Sequence, residues 1–276
     1  MVDPVTGTTA VALGWAGRKV IGPVLDQIGD DLADRYSDYR ANNARRICET
    51  AERKLGDRAS EEGQVPPRVV KAVLDEGSWS EAEVMAEYFG GILAASRTPD
   101  GTDDRGASLA DLVSRLSTHD VYLHYLIYEA FRRVYVGRKD AYLGDSIIRD
   151  SSKIYLTGEA ILEAMRLAPT TDNWLRYVFF SANALGREEL VGDESAWGDG
   201  AFLRVRVPFA SDGPALMVTP SLAGIQLFLW AHGHADPNLN AFTDPATELA
   251  PVVDLGSVAD AQEVAAMRHP APHPAD

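Results

Sequence analysis

Residues 231–237, Ala-His-Gly-His-Ala-Asp-Pro, hold the most chemistry-like spacing in the chain, with His232, His234 and Asp236 at alternate positions. The run echoes an H-x-H-x-D-H zinc site, where imidazoles and a carboxylate converge on one ion. Here the pattern stops short. Pro237 stands where the last histidine belongs, and fewer than forty residues remain to supply further ligands. Zinc catalysis needs about three converging protein ligands and an open position, and His269 and His273 fall in a proline-rich tail. The run reads as a polar helix end.

Other chemistry fails on spacing. Asp100, Asp103 and Asp104 lie in a turn-rich loop, PDGTDDRG, without the ligand spacing or closing bidentate glutamate of a calcium loop. Residues 14–19, Gly-Trp-Ala-Gly-Arg-Lys, lack the spacing and the hydroxyl of a phosphate-binding loop. No G-x-S-x-G elbow occurs. Cys48, flanked by Ile47 in a helical stretch, reads as a buried, inert thiol. Glu61-Glu62 and Asp103-Asp104 are adjacent in sequence and point apart, so neither makes an acid–base pair. His119 and His124 flank or join an apolar helix and read as structural residues. No catalytic residue, metal or cofactor is assigned, and a non-enzymatic role is expected.

Two sets of side chains point to binding. Arg204 and Arg206 alternate with Leu203, Val205 and Val207 in a strand-like run, where they would touch phosphates if DNA were bound. Trp15, Arg18 and Lys19 mark the polar edge of an amphipathic stretch over residues 3–32, kinked at Gly22-Pro23, that would face a membrane. Two cations are few for an interfacial helix. A dock on the rest of the protein, or on a second copy, is the preferred reading.

The elements that position these residues centre on residues 65–98. Val65-Pro66-Pro67 starts a helix, Val69, Val70, Val73 and Leu74 stripe it, and Gly77 ends it. Ser80 with Glu83 suggests a capping box for the next helix. There Val84, Met85, Tyr88, Phe89, Ile92 and Leu93 form a wide apolar stripe. Gly90 and Gly91 each cost about 1 kcal/mol relative to alanine, which implies close approach of a neighbouring backbone.

This segment resembles the signature of the bacterial abortive-infection alpha (Abi-alpha) family. Its Tyr88-Phe89-Gly90-Gly91-Ile92-Leu93-Ala94-Ala95 stands where that family has a W-A-x-L-L-A-x-A run; the paired glycines depart from it. A helix with Leu109, Leu112 and Leu116 follows in order, and Met217-Val218-Thr219-Pro220 with Gly224 corresponds to a late L-T-P-x-G element. The resemblance spans roughly residues 40–233 and implies a phage-defence role. It brings no catalytic residues.

Along the rest of the chain, a long charged helix is expected over 24–55, with Tyr39, Ile47, Ala51 and Leu55 towards its apolar side. Ser108 is expected to cap a helix through Leu116, and another runs over 121–136. Short helices over 157–167 and 172–185 precede a hairpin, 202–209 with 215–219, turned by Ser211-Asp212-Gly213-Pro214. Thr219-Pro220 then opens a helix closed by Gly233. The fold class is mainly α: a helical N-terminal and central region with a C-terminal winged-helix-like unit containing a small β-hairpin. The expected divisions are 1–60, 61–150, 151–239, and an acidic, Pro/Ala-rich, partly disordered tail over 240–276.

Composition narrows the partners. A net charge of −15 and pI near 4.8 oppose broad attraction to nucleic acid or anionic lipid. One cysteine and no evident signal peptide point to the cytoplasm. Protein contact or self-association, with the long N-terminal helix as the self-association element, is therefore expected. A winged-helix DNA-binding regulator and a membrane-acting effector are the alternatives, and no small-molecule substrate is expected.

Overall fold

The computed structural model describes residues 38–138, 142–165, 174–252 and 262–263. Trp15, Arg18, Lys19 and the whole 3–32 segment lie outside the described residues, as do His269 and His273. The described chain is mainly helical with a small antiparallel sheet. Among these residues no helix is long and apolar enough to cross a membrane.

The central element is α3, Glu83–Ala95, following α1, Asp38–Leu55, and α2, Pro67–Gly77. Every residue of α3 after Glu83 is buried, as a helix that is apolar all round must be. It touches α1, α2, α4 (Arg105–Ser114), α5 (Thr118–Tyr135) and α10 (Leu222–Ala231). The glycines permit this. A Cβ on Gly91 would overlap the Ala231 carbonyl oxygen of α10, and one on Gly90 would press into Thr50 and the Ile47 carbonyl of α1. The apolar rows of α2 and α3 thus grip neighbouring helices, as their spacing predicts.

Several caps differ from expectation. Ala82, not Ser80, stands at the start of α3, because the Ser80 hydroxyl accepts the Ala82 N–H within the turn. Helix α4 starts at Arg105, ahead of Ser108, where Asp103 accepts the Arg105 N–H. A reciprocal capping box instead opens α5, between Ser117 and Asp120. Ser221, not Thr219, caps α10 by accepting the Gly224 N–H. Gly233, at φ 83°, closes that helix as expected.

Beyond α5 come α6 (Ser146–Ser151), β1 (Ile154–Thr157), α7 (Gly158–Ala164) and α8 (Trp174–Arg187). Then follow β2 (Ala196–Asp199), a single helical turn α9 (Gly200–Leu203), β3 (Pro214–Val218), α10, α11 (Asn240–Thr243) and the two-residue β4 (Gln262–Glu263). The sheet order is β2-β3-β1-β4, all antiparallel, with Ala196 opposite Met217 and Ile154 opposite Val218.

The strand expected over 202–209 does not form. Leu203 and Val207 are both buried, but at helical i,i+4 spacing, and Val205 between them is 81% exposed. Asp199 caps α9 through the Ala201 N–H, and the chain then turns back on Arg206 N–H→Leu203 and Val207 N–H→Leu203 bonds. Residues 196–199 pair with β3 in its place, on the edge opposite β1.

One apolar cluster runs from Ala44 to Val252; a smaller one gathers Tyr155, Leu203, Val207, Ala210, Ala215 and Met217. The start of the expected tail joins the core, since Phe242 and Val252 are buried. Arg132 of α5 holds that stretch, donating to the carbonyls of Ala241 and Phe242 at 2.8 and 2.6 Å and to those of Asp244 and Thr247 at 3.5 and 2.5 Å.

Candidate functional site

The N-terminal half of α1 and the turn after α2 build an exposed aromatic feature, Trp79 with Tyr39. α2 ends at Gly77, and α1 reaches across to fix the turn that follows. Arg40 Nε donates to Ser78 Oγ at 3.0 Å, and its Nη2 to the Asp75 carbonyl at 3.3 Å. Asn43 Nδ2 donates to the Ser78 carbonyl at 3.0 Å, Arg46 Nη1 to the Glu81 carbonyl at 2.7 Å. These bonds hold Trp79 out of the core, 63% exposed, with the Arg40 guanidinium 4.2 Å from its ring centroid. The Tyr39 hydroxyl donates to the Trp79 carbonyl at 3.1 Å, and Tyr39 is exposed too, contrary to its expected apolar side.

From this turn a groove of about 440 Å³ runs along α1, lined by Arg46, Glu49, Thr50 and Arg53 of α1, Glu83, Ala86 and Glu87 of α3, and Pro251-Val252. The α1 residues recur at i, i+3, i+4 and i+7, one helical face. On the floor the buried Glu87 carboxylate pairs with Arg53 and with Lys54 Nζ, the latter at 2.8 Å. Burial holds the Lys54 pKa below its usual value, against the pull of Glu87. At the rim Arg46, Glu49 and Glu83 have no ion-pair partner among the described residues.

Glu87 is tied to two cations and also accepts from the Thr50 hydroxyl at 3.4 Å, while the unpaired charges of the groove sit at its lip. Exposed Trp and Tyr beside arginines is the composition that dominates contact energy at protein interfaces.

The residues singled out by sequence are scattered. Arg204 Nε donates to the Ala210 carbonyl at 3.1 Å and its Nη2 pairs with Asp212; Arg206 reaches the Glu194 carbonyl at 3.4 Å. Arg204 closes the β2–β3 connection on itself and Arg206 ties it to the residues ahead of β2; neither stands on a strand, while Phe202 and Val205 face outward. His232 is buried, donating from Nδ1 to the Phe228 carbonyl at 2.7 Å, and burial pushes its pKa down to about 3. Asp236 accepts the N–H groups of Asn238 and Ala241. These are helix-end roles. In the acidic loop Asp100 accepts from Thr98 and Thr102, Asp103 from Arg105, and Asp104 from Arg68. Among the described residues no group of three or more His, Cys, Asp or Glu is placed to hold a metal ion. Cys48 is buried as expected, its thiol pushed up to about 12 by burial. His119 stacks on Tyr177, with centroids 5.5 Å apart.

Sequence reasoning missed Trp79, Lys54 and Glu87. The one available signal was a tryptophan set in a Ser-Trp-Ser turn just past a helix-ending glycine; the Lys54–Glu87 pair leaves no local pattern. Comparison with family models, curated proteins and solved structures finds no match to this chain.

Proposed function

We propose that this protein is a non-enzymatic phage-defence protein that acts through protein–protein contacts, with the Trp79 turn and the adjoining groove as its contact face. The observation that carries the contact reading is the way four α1 side chains fix an exposed tryptophan in place. An anchor already held in its bound geometry loses little entropy on association, and nothing in the core requires that ring to point outward. The defence setting is supported by the resemblance of residues 65–98 to the Abi-alpha signature.

The test is a phage-plating assay with the gene present, absent, or carrying Trp79→Ala. Plating efficiency falls with the wild-type gene and recovers in Trp79→Ala, whose melting temperature stays at the wild-type value. Equal plating with and without the gene sinks the defence role. Full protection by Trp79→Ala sinks the contact face. A salt-sensitive duplex-binding assay addresses the winged-helix regulator: tight binding lost in Arg204→Ala/Arg206→Ala turns the reading towards DNA.

A further inference from the structure

Resting on that contact reading, we propose that the partner on this face is a second copy of the same chain, packed α1 against α1 in antiparallel fashion about a two-fold axis, each Trp79 seated in the other copy's groove.

Charge narrows the geometry first. Two copies each carrying −15 repel over most of their surfaces. The groove face is balanced: Arg46 and Arg53 stand with Glu49 and Glu83, while Lys54 offsets Glu87 beneath. Self-contact is cheapest where this balance exists.

Register comes next. Arg46 and Glu49 lie about one turn apart on α1, and neither has an ion-pair partner among the described residues. A two-fold axis passing between them sets each Arg46 opposite the partner's Glu49 and each Glu49 opposite the partner's Arg46. Both pairs come from a single register, the self-complementarity an isologous interface requires. A parallel arrangement in register sets like charges together.

The same axis explains the tryptophan. Trp79 is fixed beside Arg40, near the start of α1, whereas Pro251 and Val252 line the groove alongside Arg53, near its end. These points lie about 20 Å apart along the helix at ~1.5 Å per residue. Reversing the helix direction brings the Trp79 end of one copy over the Arg53 end of the other. There the exposed Pro251 offers apolar surface and the half-exposed Arg53 offers a guanidinium for the indole face.

Sedimentation velocity of the full chain from about 1 to about 100 µM tests the proposal. A concentration-dependent dimer is expected. Trp79→Ala, Arg46→Glu and Glu49→Arg each raise its dissociation constant at least about ten-fold, and Arg46→Glu/Glu49→Arg binds more tightly than either single reversal. Thermal melts confirm that each variant is folded. As a second measurement, mixed Arg46→Cys and Glu49→Cys copies form an intermolecular disulfide faster than either variant alone. A monomer at every concentration, a dimer indifferent to Trp79→Ala, or a double reversal weaker than both single reversals overturns the proposal. A monomer that still loses phage protection on Trp79→Ala leaves the contact reading standing with a different partner.

Discussion

The Tyr88 hydroxyl of α3 lies 2.6 Å from Nδ1 of His124 on α5, inside a fully buried layer. On its other side, His124 Nε2 sits 3.2 Å from the Gly224 carbonyl of α10. A carbonyl only accepts, so Nε2 carries the proton and Nδ1 accepts from tyrosine. One neutral imidazole thus ties three helices together. Burial pushes its pKa down to about 3 and raises that of Tyr88 well above its ordinary range.

That depression sets a pH dependence. An unfolded histidine titrates near ~6.5, whereas His124 and His232 stay neutral in the fold down to about 3. Between those limits the unfolded chain binds more protons than the native one. The stability contribution is therefore complete above ~6.5 and is lost as pH falls towards 3, by about 1.4 kcal/mol per pH unit for each histidine. Urea unfolding at pH 7, 6 and 5 checks this. His124→Phe/His232→Phe should flatten the slope across that window, whatever its effect on stability at pH 7.

Gly91→Ala should be far more damaging than a helix-propensity scale suggests. Alanine favours an isolated helix by about 1 kcal/mol. Here its Cβ falls on the Ala231 carbonyl oxygen, which is backbone and has no rotamer to give. α3 and α10 must separate, so a net loss of about 3 kcal/mol or more is expected, read as a lower urea midpoint at pH 7. Equal or greater stability would mean that the two helices do not touch there.

What the sequence makes legible follows from the range of the cause. α2 and α3 are readable because Pro67, Gly77 and the Val and Leu rows act within a turn or two, and the close approach at Gly90-Gly91 is implied by their propensity cost. The 202–209 run misleads because Leu203 and Val207 satisfy both a strand and a helical turn, and only burial against Tyr155 and Met217 selects the latter. Ser80 fails as a cap through a competing bond one turn earlier. The groove is least legible. Its walls come from residues 46–53, 83–87 and 251–252, and no periodicity links segments brought together by tertiary packing alone.

The Lys54–Glu87 pair should behave as a buried ion pair, with side chains 4% and 8% exposed. Removing one partner strands the other charge, so Glu87→Leu alone should cost about 3–5 kcal/mol. Lys54→Met with Glu87→Leu should recover a large part of that loss, because apolar replacement of both partners is often neutral. The coupling energy from a double-mutant cycle in urea is the measurement. Additive single effects would show that solvent already screens the pair.

Arg132 should prove a peg rather than a charge partner. Its guanidinium meets four backbone carbonyls, those of Ala241, Phe242, Asp244 and Thr247. Hydrogen bonds from a charged donor are worth about 1.5–3 kcal/mol, and the orphaned carbonyls add to the loss. Lysine keeps the charge but not the planar fork, so Arg132→Lys should fail nearly as badly as Arg132→Ala. Hydrogen exchange localises the effect: amides of 239–252, including Phe242, which bonds to Leu239, and Val252, which bonds to the Tyr125 hydroxyl, should lose protection first. Protection unchanged in that stretch, with losses spread evenly over the helices, would show that other contacts hold the segment.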